Sequence, residues 1–85
     1  MSYSVTIKAS AAKQLARVDA TARRALIEQI DRLATEPHIG TALKGELAGL
    51  RRVRVGAYRI VFEVRHQELI VLVLRVGHRS SVYRR

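Results

Sequence analysis

Arginine is the residue type through which this 85-residue chain is best equipped to do chemistry: thirteen of its sixteen cationic side chains are Arg. A guanidinium stays charged at any physiological pH and offers a planar fork of donors that matches phosphate oxygens. The cations are also unevenly distributed. Residues 1–43 carry six basic and four acidic side chains, a net of +2, whereas residues 44–85 carry ten and three, a net of +7. In the basic half, Arg52 and Arg54 alternate with Val53 and Val55, Arg59 alternates with Tyr58 and Ile60, and Lys44 stands at the entrance, before Gly45. This pattern predicts a polyanionic partner, namely nucleic acid, a membrane surface or an acidic protein. A solvated basic surface kept for solubility is the alternative, but solubility alone would not require Arg over Lys.

Groups able to move a proton are scarcer. Arginine is a poor general base because its pKa exceeds ~12. Among the three histidines, His66 falls in an expected turn and His38 in an expected loop, and neither is assigned a role. His78 is a possible general base, since imidazole titrates near ~6.5. The histidines lack metal-ligand spacing, no acidic pair is placed for glycosidase or metal chemistry, and the absence of cysteine excludes a disulfide framework or a Cys-based zinc site. No metal and no cofactor are expected.

The elements that must position these residues follow from pattern. Tyr3–Lys8 alternates Val5 and Ile7 with polar residues and predicts a strand. Ser10 is expected to cap a short helix over Ala11–Val18, and Asp19 to open a longer one over Ala20–Thr35. Ala22, Leu26, Ile30 and Leu33 supply the apolar stripe of the second helix, widened by Ile27 and Ala34. Pro37 stops it, and Glu36–Gly49 reads as a loop. Strands are expected at Leu50–Val55, at Tyr58–Arg65 after a Gly56-Ala57 turn, and at Glu68–Val76 after a His66-Gln67 turn. In the middle strand Tyr58, Ile60, Phe62 and Val64 share one face. The last strand is apolar on both faces, which predicts a central position covered on both sides, and Gly77 is expected to end it. The result is an α+β architecture: an N-terminal strand, an antiparallel helical hairpin and a three-stranded antiparallel meander. A chain of this length makes one domain, 1–85. Its 48% hydrophobic content argues against disorder. With no apolar run near the ~20 residues of a membrane span and no signal-like N-terminus, a soluble cytoplasmic protein with no membrane partner is expected.

Three pieces of the chain, in this order and at this spacing, resemble the RelE/ParE toxin superfamily. They are Leu43-Lys44-Gly45, then Leu50-Arg51-Arg52-Val53-Arg54-Val55-Gly56-Ala57-Tyr58-Arg59, then Val76-Gly77-His78-Arg79 followed by Val82-Tyr83. The resemblance runs over essentially the whole chain and is sharpest from Leu43 to Tyr83. It implies a RelE-like βααβββ fold and a toxin of a type II toxin–antitoxin system. Members of the superfamily include RNA-cleaving RelE-like and gyrase-poisoning ParE-like toxins, and fold alone does not choose between them.

Cleavage of RNA by internal attack needs a base for the 2′-hydroxyl, positive charge for the phosphorane-like transition state and an acid for the leaving 5′-oxygen. The resemblance implies that Arg59 and Arg79 supply the charge, and that Tyr83 completes the catalytic set as a proton-transfer group or by stacking on a nucleotide. Arg52, Arg54 and Lys44 are then RNA-binding residues. Arg59 read as a plain surface residue would pair with Glu63, and Arg84 and Arg85 would add only nonspecific attraction. Relatives of the RelE type place lysines where this chain has Leu50 and Arg52, which leaves the general base open between Tyr83 and His78. The first functional reading is a ribosome-dependent mRNA endonuclease (an mRNA interferase) that inhibits translation. The alternatives are a ParE-like gyrase inhibitor and a catalytically degenerate corepressor that only binds its antitoxin. The implied partners are the ribosome with its mRNA and a cognate RelB-like antitoxin carrying an acidic segment that folds around the toxin.

Overall fold

The computed structural model describes residues 2–78 of the chain. Its elements run β1 (Ser4–Ile7), α1 (Ala9–Ala16), α2 (Ala20–Arg32), β2 (Thr41–Ala42), a 3₁₀ turn at Gly45–Leu47, β3 (Arg51–Val55), β4 (Tyr58–Arg65) and β5 (Ile70–His78). The strands form one sheet in the order β1-β5-β4-β3-β2. β1 runs parallel to β5 and the remaining pairs are antiparallel. The expected α+β order therefore holds, with one short strand, β2, added inside the segment read as loop.

Both helices pack on one face of this sheet. Ala11 and Leu15 of α1, then Val18, then Leu26 and Ile30 of α2 and Leu33 just after it, meet Ile60 and Phe62 of β4 and Val71, Val73 and Val76 of β5 in a single core. The i, i+4 and i, i+7 spacing of Leu26, Ile30 and Leu33 puts them on one helical stripe. Ile27 lies off that stripe and is 42% exposed, contrary to the wider apolar face expected for α2. Asp19 caps α2 as anticipated, its Oδ2 accepting the Ala22 N–H at 3.2 Å. Arg23 donates to the carbonyls of Ala16 and Val18 at 3.1 and 3.3 Å, which satisfies orphan acceptors at the end of α1.

Ser10 is not a cap: α1 starts at Ala9 and its N-cap is Lys8, which makes no side-chain capping bond. The start is set instead by the sheet, because the Lys8 N–H still donates to the Val73 carbonyl at 2.9 Å as the chain leaves β1.

The turn before β3 is held by backbone geometry and one arginine. Gly40 has φ +85°, and a Cβ on it would stand 2.0 Å from the Arg52 carbonyl oxygen, so only glycine lets β2 close on β3 here. Arg51 donates to the carbonyls of His38, Ile39 and Gly40, fastening this segment to the start of β3.

β5 is an interior strand between β1 and β4, and among the described residues helices pack on one of its sides. Val71, Val73 and Val76 are fully buried, while Ile70, Leu72 and Leu74 are half-buried on the opposite side. The strand also passes through Gly77, expected as its end, and finishes at His78. No helix among the described residues is long and apolar enough to cross a membrane.

Candidate nucleic-acid interface

The helix-free face of the sheet collects arginines. Directly paired residues of neighbouring strands project to the same side, so the register specifies who meets whom. Arg54 of β3 is paired with Arg59 of β4, and Arg59 with Gly77 of β5. In the next row Arg52, Val61 and Arg75 stand side by side across the three strands. Ile60 and Phe62 point into the core, which assigns Arg59 and Val61 to the other side. Arg59 is thus directly opposite Arg54 and diagonal to both Arg52 and Arg75, at the ~7–8 Å spacing typical of diagonal neighbours.

The direct pairing of like charges carries a repulsive contribution. Like charges directly opposite on a sheet are destabilising, and two unit charges ~5–8 Å apart in water repel by roughly 0.5–1 kcal/mol. One carboxylate, Glu63, shares the face among the described strand residues, and it bonds Arg65 Nε at 3.1 Å toward the far end of β4. That bond and the nearby charges of Glu63 and Glu68 raise the Arg65 pKa further. Arg59 is half-buried, and its Nε is buried without a hydrogen bond, although the side chain as a whole is engaged. Gly77 beside it contributes no side chain.

The remaining sequence-derived candidates spread out. Lys44 is exposed and precedes the 3₁₀ turn. It lies just past Ala42, which pairs with Arg51, so it marks the end of β3 away from Arg54, roughly 10–15 Å along the strand at ~3.3 Å per residue. His78 is in register with Tyr58 and meets it edge to face at 6.0 Å between ring centroids. Tyr58 packs against the core, so His78 belongs to the helix side of the sheet, across from Arg59. There it borders a cavity of about 240 Å³ with Gln14, Arg17, Tyr58 and Val76. Gln14 Oε1 accepts the Val76 N–H at 2.9 Å, at a point of β5 that β1 no longer reaches. Arg79 and Tyr83, expected to join Arg59, lie outside the described residues, as do Arg84 and Arg85. His66, given no role, bonds the Tyr3 hydroxyl through Nδ1 at 2.9 Å and ties β1 to the β4–β5 turn.

Sequence reasoning missed Arg75. The available signal was a lone arginine inside the apolar run Ile70–Val76, where strict alternation from Val71 and Val73 would have buried it.

The domain is thus a small sheet with two helices on one face and an arginine cluster on the other. Residues 5–83 match the family described as ParE toxin of type II toxin-antitoxin system, parDE. The chain is 33% identical to Toxin RelG of Mycobacterium tuberculosis over the full length of both proteins. It is also 33% identical to Toxin RelE of the same organism, over 96% of this chain and 87% of that protein. Among solved structures, a chain of the RelBE2 toxin–antitoxin complex of M. tuberculosis superposes with a TM-score of 0.87 at 31% identity, covering 93% of this chain and 100% of that one. The chain belongs to the RelE/ParE superfamily of type II toxin–antitoxin toxins.

Proposed function

We propose that this toxin is a ribosome-dependent mRNA endonuclease that stops translation in the cytoplasm, its 85 residues forming one catalytic domain. The observation that carries the reading is the cluster of Arg52, Arg54, Arg59 and Arg75 on the sheet face opposite the helices. It concentrates charge suited to phosphate on one face of the sheet. In the proposed reaction the 2′-oxygen loses its proton and attacks the adjacent phosphorus. The bond from phosphorus to the 5′-oxygen breaks, and that oxygen gains a proton. Arg59 and Arg79 stabilise the extra negative charge on the phosphorane oxygens, and Arg52 and Arg54 hold the flanking backbone, with Lys44 at the periphery. Tyr83 transfers a proton. His78 lies on the helix side of the sheet, away from Arg59, and is not assigned the proton transfer.

A cognate antitoxin completes the system. The net charge of +9 and the half-buried apolar stripe of Ile70, Leu72 and Leu74 suit a partner that brings acidic and apolar residues together. The M. tuberculosis structure is itself of a toxin–antitoxin complex. The matching family description names ParE toxins, which favours gyrase inhibition as the second reading. Labelled amino-acid and thymidine incorporation after induction separates the two. Translation is expected to stop first, and arrest of DNA synthesis with translation continuing would replace the endonuclease with the gyrase inhibitor.

A further inference from the structure

We infer that Arg75 is an RNA-phosphate-binding residue, placed on the arginine face by a β-bulge in β5. The inference rests on the RNA reading of that face but not on ribosome dependence or cleavage.

The bulge is visible in the register. Val61 pairs with Arg75 and the next residue of β4, Phe62, pairs with Val73, so Leu74 is the extra residue on β5. Before it, Val71 and Val73 face the helices; after it, Val76 does. Uninterrupted alternation would have sent Arg75 into the core in place of Val76. An isolated buried guanidinium there would cost several kcal/mol. The bulge shifts the phase by one residue, which seats Val76 in the core at 0% exposure and turns Arg75 to the side of Val61 and Arg52. Bulges next to sites commonly re-aim a side chain in this way.

The position reached has a chemical consequence. Arg75 and Arg52 flank Val61 on opposite sides, two strand spacings or ~10 Å apart. Arg59 lies one row along, diagonal to both. Three guanidiniums at the corners of this triangle can take successive phosphates of a single strand, with Arg75 on the β5 side of the phosphate held by Arg59. The half-buried Leu72 and Leu74 next to it offer an apolar floor for a sugar or base.

The test is equilibrium binding of the free toxin to a fluorescent 2′-O-methyl RNA octamer, which cannot undergo internal attack, across a salt series. Each phosphate contact with single-stranded RNA contributes about 0.7 to the slope of log affinity against log salt. Arg75→Met should lower the slope by about that amount, which corresponds to roughly 8-fold weaker binding at 50 mM salt and roughly 3-fold at 200 mM. Arg75→Lys should restore the slope. Arg24→Met, an equal loss of charge on the exposed surface of α2, should leave the slope unchanged. Circular dichroism checks folding, and if Arg75→Met does not fold, Arg75→Gln takes its place. An unchanged slope in the folded Arg75 variant, an equal loss in Arg24→Met, or failure of the wild type to bind the octamer would each overturn the inference. Octamer binding that depends on Arg75 in a toxin that does not arrest translation would leave it standing and remove the ribosomal reading instead.

Discussion

Replacing Arg59 by Met should move activity and stability in opposite directions. Met keeps most of the aliphatic stem and removes the charge. The loss of one well-placed donor to a developing oxyanion costs ~10²–10³ in the chemical step, or ~2.7–4 kcal/mol. Folding should respond the other way, because Arg59 is paired with Arg54 and diagonal to Arg52 and Arg75. At ~7 Å in water each repulsion is about 0.6 kcal/mol before screening, and side-chain flexibility reduces the sum. Removal of the repulsion by itself contributes about 0.5–1 kcal/mol of stabilisation at low ionic strength. The Debye length falls from ~30 Å at 0.01 M to ~3 Å at 1 M salt, so the electrostatic gain should vanish at high salt. Two assays check the pair of claims: single-turnover cleavage on programmed ribosomes, and urea unfolding of wild type and variant at both salt concentrations. A folded Arg59→Met protein that cleaves like wild type would show that the active site lies elsewhere. A stability difference identical at both salts would show that the arginines do not repel one another.

Three further outcomes are expected. Tyr83→Phe should lower single-turnover cleavage nearly as far as Tyr83→Ala, on the order of 10²-fold, as loss of a proton-transfer group does; retention of activity by Phe alone would make Tyr83 a stacking residue. Gly40→Ala should destabilise the protein by more than about 2 kcal/mol in urea unfolding, because it combines a positive φ with a Cβ 2.0 Å from the Arg52 carbonyl oxygen, and wild-type stability would remove the argument for a close β2–β3 approach. Antitoxin association should slow steeply with salt while dissociation changes little, since charge steers encounter and apolar contacts hold the complex, and stopped-flow rates independent of salt would eliminate the steering.

Much of this molecule was legible in local pattern. The alternation of Tyr58, Ile60, Phe62 and Val64 identified β4 and the face that carries Arg59, and the spacing of Leu26, Ile30 and Leu33 identified the buried stripe of α2, because strand and helix periods are set by the backbone within a few residues. Asp19 was legible as a cap for the same reason. What was not legible depended on contacts between distant segments. The start of α1 is decided by Lys8 bonding Val73, not by Ser10. β2 exists because Gly40 allows Thr41 and Ala42 to reach Arg52 and Arg51. The placement of β1 beside β5 in parallel leaves His78 at a strand end that β1 does not reach, on the helix side. Above all, the face taken by Arg75 follows from a one-residue slip between β4 and β5. The sequence by itself determined that there would be an arginine-rich sheet face, through alternation. Only the tertiary structure decided its fourth member, because the bulge is the packing solution that keeps a guanidinium out of the core and Val76 in it.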